Sequence, residues 1–154
     1  MTHIDFYITT AKNADELFSF ACRLTEKAYR SHCNIYLHTD SEQQMLALDE
    51  KLWNFRANSF LPHRHERSVS ETTEADNKVT LSAEKKGAIF IGHSGEVGDH
   101  NDVLINLTDK TPDFFSRFNR LAEIVPGSDS AKQASRQRYK YYRDRGYPLK
   151  VHNL

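Results

Sequence analysis

Two short and almost purely apolar runs, Ala88–Gly92 and Val103–Leu107, set the tightest limit on how this chain can fold. A strand of that kind has no polar face to give to water, so it must be covered on both sides, as in a parallel sheet flanked by helices. The neighbouring segments supply the covers. Ile4–Ile8 is β-prone and leads into Asn13–Ser31, where Leu17, Phe18, Ala21, Leu24, Thr25 and Ala28 recur at helical spacing. Asn34–His38 is a second strand. Ser41 with Gln44 forms a capping-box pattern, and Met45, Leu48, Leu52 and Trp53 continue the apolar face of the helix that follows. Ser59–Leu61 is a brief strand stopped by Pro62, and residues 63–86 turn polar and read as a long loop or extension.

After the two buried strands, Thr111-Pro112 places proline in a first helical turn and predicts a helix carrying Phe114, Phe115, Phe118 and Leu121. Glu123–Val125 is a last strand before a C-terminal helix. Strands alternating with helices predict a three-layer α/β/α fold with a mostly parallel sheet, Rossmann-like in outline. The 154 residues suffice for one domain, so residues 1–154 are expected to form a single unit.

A Rossmann outline invites a nucleotide, and a nucleotide- or phosphate-using enzyme is the alternative to any binding role. The residues offer it little. The first strand-to-helix turn, Thr9-Thr10-Ala11-Lys12-Asn13, has no glycine, so backbone cannot come close to a pyrophosphate. The glycines of Gly92–Gly98 join two strands and open no helix. His63-x-His65 has metal-like spacing without a matching Cys or carboxylate motif, and reads as a solvated pair. His93 and His100 with Asp99 and Asp102 could form a hydrolytic cluster but equally fit polar strand ends. No cofactor and no catalytic residue is expected. Cys22 and Cys33 match no zinc or redox spacing and read as reduced packing residues of a cytoplasmic protein. The N-terminus lacks the basic and apolar regions of a secretory signal.

The segment Ser128–Tyr147 carries the binding chemistry. Its six cations (Lys132, Arg136, Arg138, Lys140, Arg143, Arg145) meet two acids, Asp129 and Asp144, in a chain whose 21 positive and 21 negative residues otherwise cancel. At about 100° per residue, Lys132, Arg136, Tyr139 and Arg143 share one helix face, and Ala131, Ala134, Ser135 and Tyr142 share another. The first face suits an anion with an apolar neighbour, such as a peptide carboxylate or a phosphate beside a base. The neutral chain argues against bulk binding of nucleic acid.

Several blocks together resemble the chi subunit family of bacterial DNA polymerase III. They are the N-terminal Ile4-Asp5-Phe6-Tyr7-Ile8; Leu48-Asp49-Glu50-Lys51-Leu52-Trp53 followed by Ser59-Phe60-Leu61-Pro62-His63; Val103–Leu107 and Val125-Pro126; and the tail pattern KQxxRxRYKxYRxxG from Lys132 to Gly146. The resemblance implies a non-enzymatic accessory subunit with two protein partners. One is the psi subunit, which tethers chi to the clamp loader, on a surface that an iron–sulfur DNA helicase also uses in some members. The other is the acidic C-terminal tail of single-stranded DNA-binding protein. It assigns Trp53 and Phe60, with Pro62 beside them, to the psi side. Lys132, Arg136, Tyr139, Lys140 and Arg143, with Gly146 and Tyr147 nearby, fall on the tail side. A tail that ends in acids and phenylalanine would give its carboxylate to Lys132 or Arg136 and its ring to a slot lined by Tyr139 and Val125. Arg138, lying at an angle between Ala131 and Ala134, is assigned to a structural pair or a snorkelling position rather than to the ligand site. Residues 64–86 are longer and more charged than the family's usual connection.

Overall fold

In the computed structural model, which describes residues 1–54, 63–65, 89–94 and 102–154, seven strands form one sheet in the order β3-β4-β2-β5-β6-β1-β7. The strands are β1 (His3–Ile8), β2 (Ile35–His38), β3 (His63–His65), β4 (Ile89–Gly92), β5 (Val103–Asn106), β6 (Arg120–Val125) and β7 (Leu149–Asn153). Every pairing among them is parallel. The helices are α1 (Ala14–Arg30), α2 (Glu42–Asn54) and α3 (Asp129–Asp144). The expected three-layer α/β/α architecture is therefore present.

The alternation of side chains along each strand decides which helix covers which face. Ile35 and Leu37 of β2, Val103 and Ile105 of β5, and Ala122 and Ile124 of β6 pack with Leu17, Phe18 and Ala21 of α1 and Met45, Leu48 and Leu52 of α2. The intervening Tyr36, Leu104, Leu121 and Val125, with Ile4 and Phe6 of β1, face Phe115, Phe118 and Tyr142 on the opposite side. Both faces of the central strands are thus dry, and each fully buried aliphatic side chain contributes roughly 1.5–3 kcal/mol.

Local chemistry sets the helix ends. The Asn13 side chain accepts from Glu16 N at 2.9 Å, and the Glu16 carboxylate accepts from Lys12 N at 2.8 Å. Ser41 Oγ accepts from Gln44 N at 3.2 Å, the first half of the expected capping box, while the Gln44 side chain accepts from Asp40 N, one residue before the cap, at 3.0 Å. At the end of α3, Gly146 adopts φ +83°, its N–H reaches Arg143 O, and Tyr147 N–H reaches Tyr142 O. This is a Schellman stop, and the left-handed position explains why glycine stands there.

Three expectations need correction. The helix expected after Thr111-Pro112 is one turn of 3-10 helix, Phe115–Arg117. Phe118 is already extended, and Leu121 belongs to β6, whose register is fixed by parallel partners on both sides. Helical spacing of the aromatic residues arises because Phe115 and Phe118 pack from a turn onto the same cluster. The polar stretch 63–86 begins not as a loop but as β3, with the rest outside the described residues, as is the expected strand Ser59–Leu61. Finally, the sheet has one strand beyond those expected, β7, which pairs with β1 and ends the sheet.

Cys22 is fully buried, and burial pushes its thiol up to about 12, whereas Cys33 is partly exposed and neither forms a disulfide. A thiol reagent at pH 8 should therefore label Cys33 in the native protein and Cys22 only after denaturation, since the thiolate is the reactive form. Mass spectrometry of the native reaction checks this, and rapid double labelling would contradict the packing described here.

Candidate functional site

The place where a Rossmann-like sheet offers a ligand is the crevice at the carboxyl ends of two strands whose helices leave to opposite faces. Here those strands are β1 and β6, which feed α1 and α3. The crevice is occupied by the protein's own backbone. Gly127 N donates to Ala11 O at 2.9 Å, and a Cβ at residue 127 would sit 3.1 Å from backbone atoms of Thr10 and Ala11. Thr9 closes the same end by bonding Val125 O through its N–H and its hydroxyl, the latter at 2.8 Å. The Asn13 side chain takes the Glu16 N–H at the start of α1, and Asp15 and Glu16 put two carboxylates in its first turn, which disfavours a phosphate there.

The basic helix offers a different kind of site, and a buried polar network holds it in place. Glu123 of β6 is fully buried and points at α3. Its Oε2 accepts from Tyr142 Oη at 2.6 Å, and its Oε1 accepts from Asn106 Nδ2 at 2.8 Å and lies 3.3 Å from Arg138 Nε. Arg138 also donates through Nη1 to Asp109 O at 2.8 Å, and Asn106 Oδ1 accepts from both the N–H and the hydroxyl of Thr108. Burial pushes the Glu123 carboxyl above its ordinary range, and the Arg138 charge and the hydrogen bonds pull against that shift. Burial, reinforced by the adjacent carboxylate, raises the Tyr142 phenol. Arg138 thus fills the structural role expected of it. Its angle on the helix, beside Ser135 and Tyr142, carries it into the core rather than to water.

With that face fixed, Lys132, Arg136 and Tyr139 turn toward the sheet edge. There they line a groove of about 410 Å³ with Ser135. The opposite wall and floor come from Phe6 and Ile8 of β1 and from Val151 and Asn153 of β7. The Tyr139 ring packs 5.6 Å from that of Phe6 at a tilt of 59°. None of the described residues lining the groove is acidic. An apolar trough with two cations along one rim can hold a hydrophobic side chain attached to an anion.

The other residues expected near this site lie apart from it. Val125 is fully buried and lines no part of the groove, so the slot is made by β1 and β7 instead. Lys140 and Arg143 are exposed farther along α3, Gly146 terminates the helix, and the Tyr147 ring packs 5.1 Å from that of Phe115. The residues that sequence reasoning missed are Phe6, Ile8, Val151 and Asn153. The alternating Leu149-Lys150-Val151-His152 after Pro148 is the signal that could have revealed β7.

On the other side of the molecule, Trp53 does not continue the buried face of α2. Met45, Leu48 and Leu52 are buried, while Trp53 is 49% and Leu46 43% exposed, seven residues apart on one flank. The indole packs 4.3 Å from the His63 ring, and His63 Nε2 lies 3.0 Å from the Asp49 carboxylate. Phe60 and Pro62 lie outside the described residues, as do Asp99 and His100 of the suggested hydrolytic cluster. Asp102 accepts instead from Asn34 N at 2.7 Å. Among the described residues no group of three metal-ligating side chains forms, and no helix is long and apolar enough to cross a membrane.

Comparison with known proteins decides the family. Residues 1–150 match the family described as DNA polymerase III chi subunit, HolC. The chain belongs to the chi subunit family. Members of this family are accessory, non-catalytic subunits of DNA polymerase III. The chain is 36% identical to DNA polymerase III subunit chi of Pseudomonas aeruginosa over 154 residues, covering 100% of this chain and 98% of that one. It is 31% identical to the subunit chi of Haemophilus influenzae, covering 97% of this chain and 95% of that one. The corresponding protein of Escherichia coli is 29% identical, over 97% and 96% of the two chains. Among solved structures, T4 UvsW superposes with a TM-score of 0.68 at 11% identity. The match takes in 99% of this chain and 42% of UvsW, and at that identity it speaks to the fold alone. The chi resemblance read from the sequence blocks is thereby established, and with it a role in DNA replication.

Proposed function

We propose that this chi-family chain is a cytoplasmic adaptor that links the clamp loader, through the psi subunit, to the acidic C-terminal tail of single-stranded DNA-binding protein. The observation that carries the tail half of this reading is the groove between α3 and the sheet edge. Lys132 and Arg136 stand beside the apolar side chains of Phe6, Ile8, Tyr139 and Val151 in one groove of about 410 Å³. A terminal carboxylate at Lys132 and Arg136 would gain charge-assisted bonds, each worth roughly 1.5–3 kcal/mol. The phenylalanine ring would lie against Tyr139, Ile8 and Val151. Lys140 and Arg143, exposed beyond the groove, supply charge for acids upstream of the terminus, and the Gly146–Tyr147 stop holds the end of the helix. For the psi half, or for a helicase on the same surface, the support is the exposed flank of Leu46 and Trp53 on α2, to which Phe60 and Pro62 would add.

A single tail contact of this size is weak. Many tails displayed on a coated strand would raise the effective concentration and keep the polymerase local. Titrating an acidic, phenylalanine-ending peptide into the protein by calorimetry tests the reading. Binding should weaken at least about tenfold when the terminal phenylalanine is removed and should also fall as salt rises. A peptide that binds equally well without its phenylalanine, or not at all, would sink the tail assignment.

A further inference from the structure

We propose that the tail peptide enters the groove as an added β-strand, running parallel to β7 and bonded to its open edge through the main chain. The inference rests on the reading of the groove as a tail site and adds how the ligand's backbone is held. Strand β7 is the last in the sheet, and among the described residues no strand pairs with its outer side. Its bonds to β1 begin with Ile4 N to Pro148 O at 3.0 Å and end with Leu154 N to Ile8 O at 3.0 Å. In a parallel ladder each strand turns alternate residues toward a given neighbour. Pro148, Lys150, His152 and Leu154 therefore face β1, and the N–H and C=O groups of Leu149, Val151 and Asn153 face outward.

Two of those three residues, Val151 and Asn153, also line the groove. The unpaired main chain and the groove thus open on the same corner of the molecule. An exposed edge of this kind is a template for a further strand, with alternate side chains of the guest entering the pocket beside it. The direction follows from the charges. Helix α3 leaves from the carboxyl end of β6 and runs back along the sheet, so Lys132 and Arg136 lie toward the strands' carboxyl ends, and Lys140 and Arg143 lie toward their amino ends. A carboxylate at the first pair and acids near the second place the guest's C-terminus at the carboxyl end of β7. The two pairs are separated by about 11 Å of helix, the length of about three residues of strand.

The test is a scan of single N-methylated amides along a six-residue acidic peptide ending in phenylalanine, titrated into the wild-type protein. A guest strand presents every second amide to β7, so affinity should fall about tenfold or more at alternate positions and change little between them. Adding the unmodified peptide should also slow hydrogen exchange of the Val151 amide. On the protein side, Val151→Pro removes an outward N–H that β1 does not use, and it should weaken the peptide more than Val151→Ala does. If the peptide binds and every N-methyl position is tolerated alike, the added strand is wrong and the tail site stands. Absence of any peptide binding overturns both.

Discussion

Arg138→Ala should destabilise the protein by about 3–5 kcal/mol, the usual cost of removing one partner from a buried ion pair. The guanidinium is almost wholly buried, and its loss leaves the Glu123 carboxylate in the core with Tyr142 and Asn106 as its remaining donors. Urea denaturation would read the loss as a lower midpoint with little change in slope. Replacing both partners together, Arg138→Met with Glu123→Leu, should leave a more stable protein than Arg138→Ala alone, because no uncompensated charge then remains inside.

The same variant should show a pH signature. Burial already raises the Glu123 carboxyl above its ordinary value of 4.5, and removing the neighbouring cation raises it further. A carboxyl whose folded pKa lies above its unfolded one favours the folded state fully at pH below the unfolded value. That contribution is lost as pH rises through the folded value. The deficit of Arg138→Ala should therefore be smallest in mild acid and widen toward neutral pH. A deficit that grew on acidification would mean that the carboxylate is not the group left stranded.

Arg136→Ala should weaken the acidic, phenylalanine-ending peptide about tenfold or more while leaving folding stability within about 0.5 kcal/mol of the parent. Its side chain lines the groove from an exposed position on α3, and no hydrogen bond or ion pair within the described chain depends on it. Trp53→Ala should do the reverse, leaving the peptide affinity unchanged and removing capture of the psi subunit, since a half-exposed aromatic is the kind of residue that anchors an interface. Wild-type affinity of Arg136→Ala for the peptide would show that the groove is not where the carboxylate goes.

The first two helices were legible because their apolar residues recur at helical spacing, and the central strands because continuous apolar runs must be covered on both faces. The fate of Arg138 was legible too, because helix geometry puts it in line with Ser135 and Tyr142. What stayed hidden depended on contacts between distant segments. The apolar wall of the groove joins Phe6 and Ile8 to Val151 and Asn153, from opposite ends of the chain. An edge strand with one neighbour needs little apolar content, so β7 left only a faint alternation. The one-turn helix at Phe115 shows the opposite failure, a convincing helical spacing overruled by strand pairing on both sides of β6. Trp53 sits one residue past Leu52, and that 100° step takes it out of the core.

The network around Glu123 has a consequence for how this surface can change over time. Because Arg138 and Tyr142 lock the rotation of α3 about its own axis, the bearing of Lys132, Arg136 and Tyr139 is indexed to residues that never meet the ligand. A point substitution in the stripe alters one contact and leaves the bearing intact. A single-residue insertion between Arg136 and Arg138 would swing Lys132 and Arg136 by about 100° relative to Tyr139 and aim both cations away from the groove. The length of this helix segment is thus under tighter control than its composition.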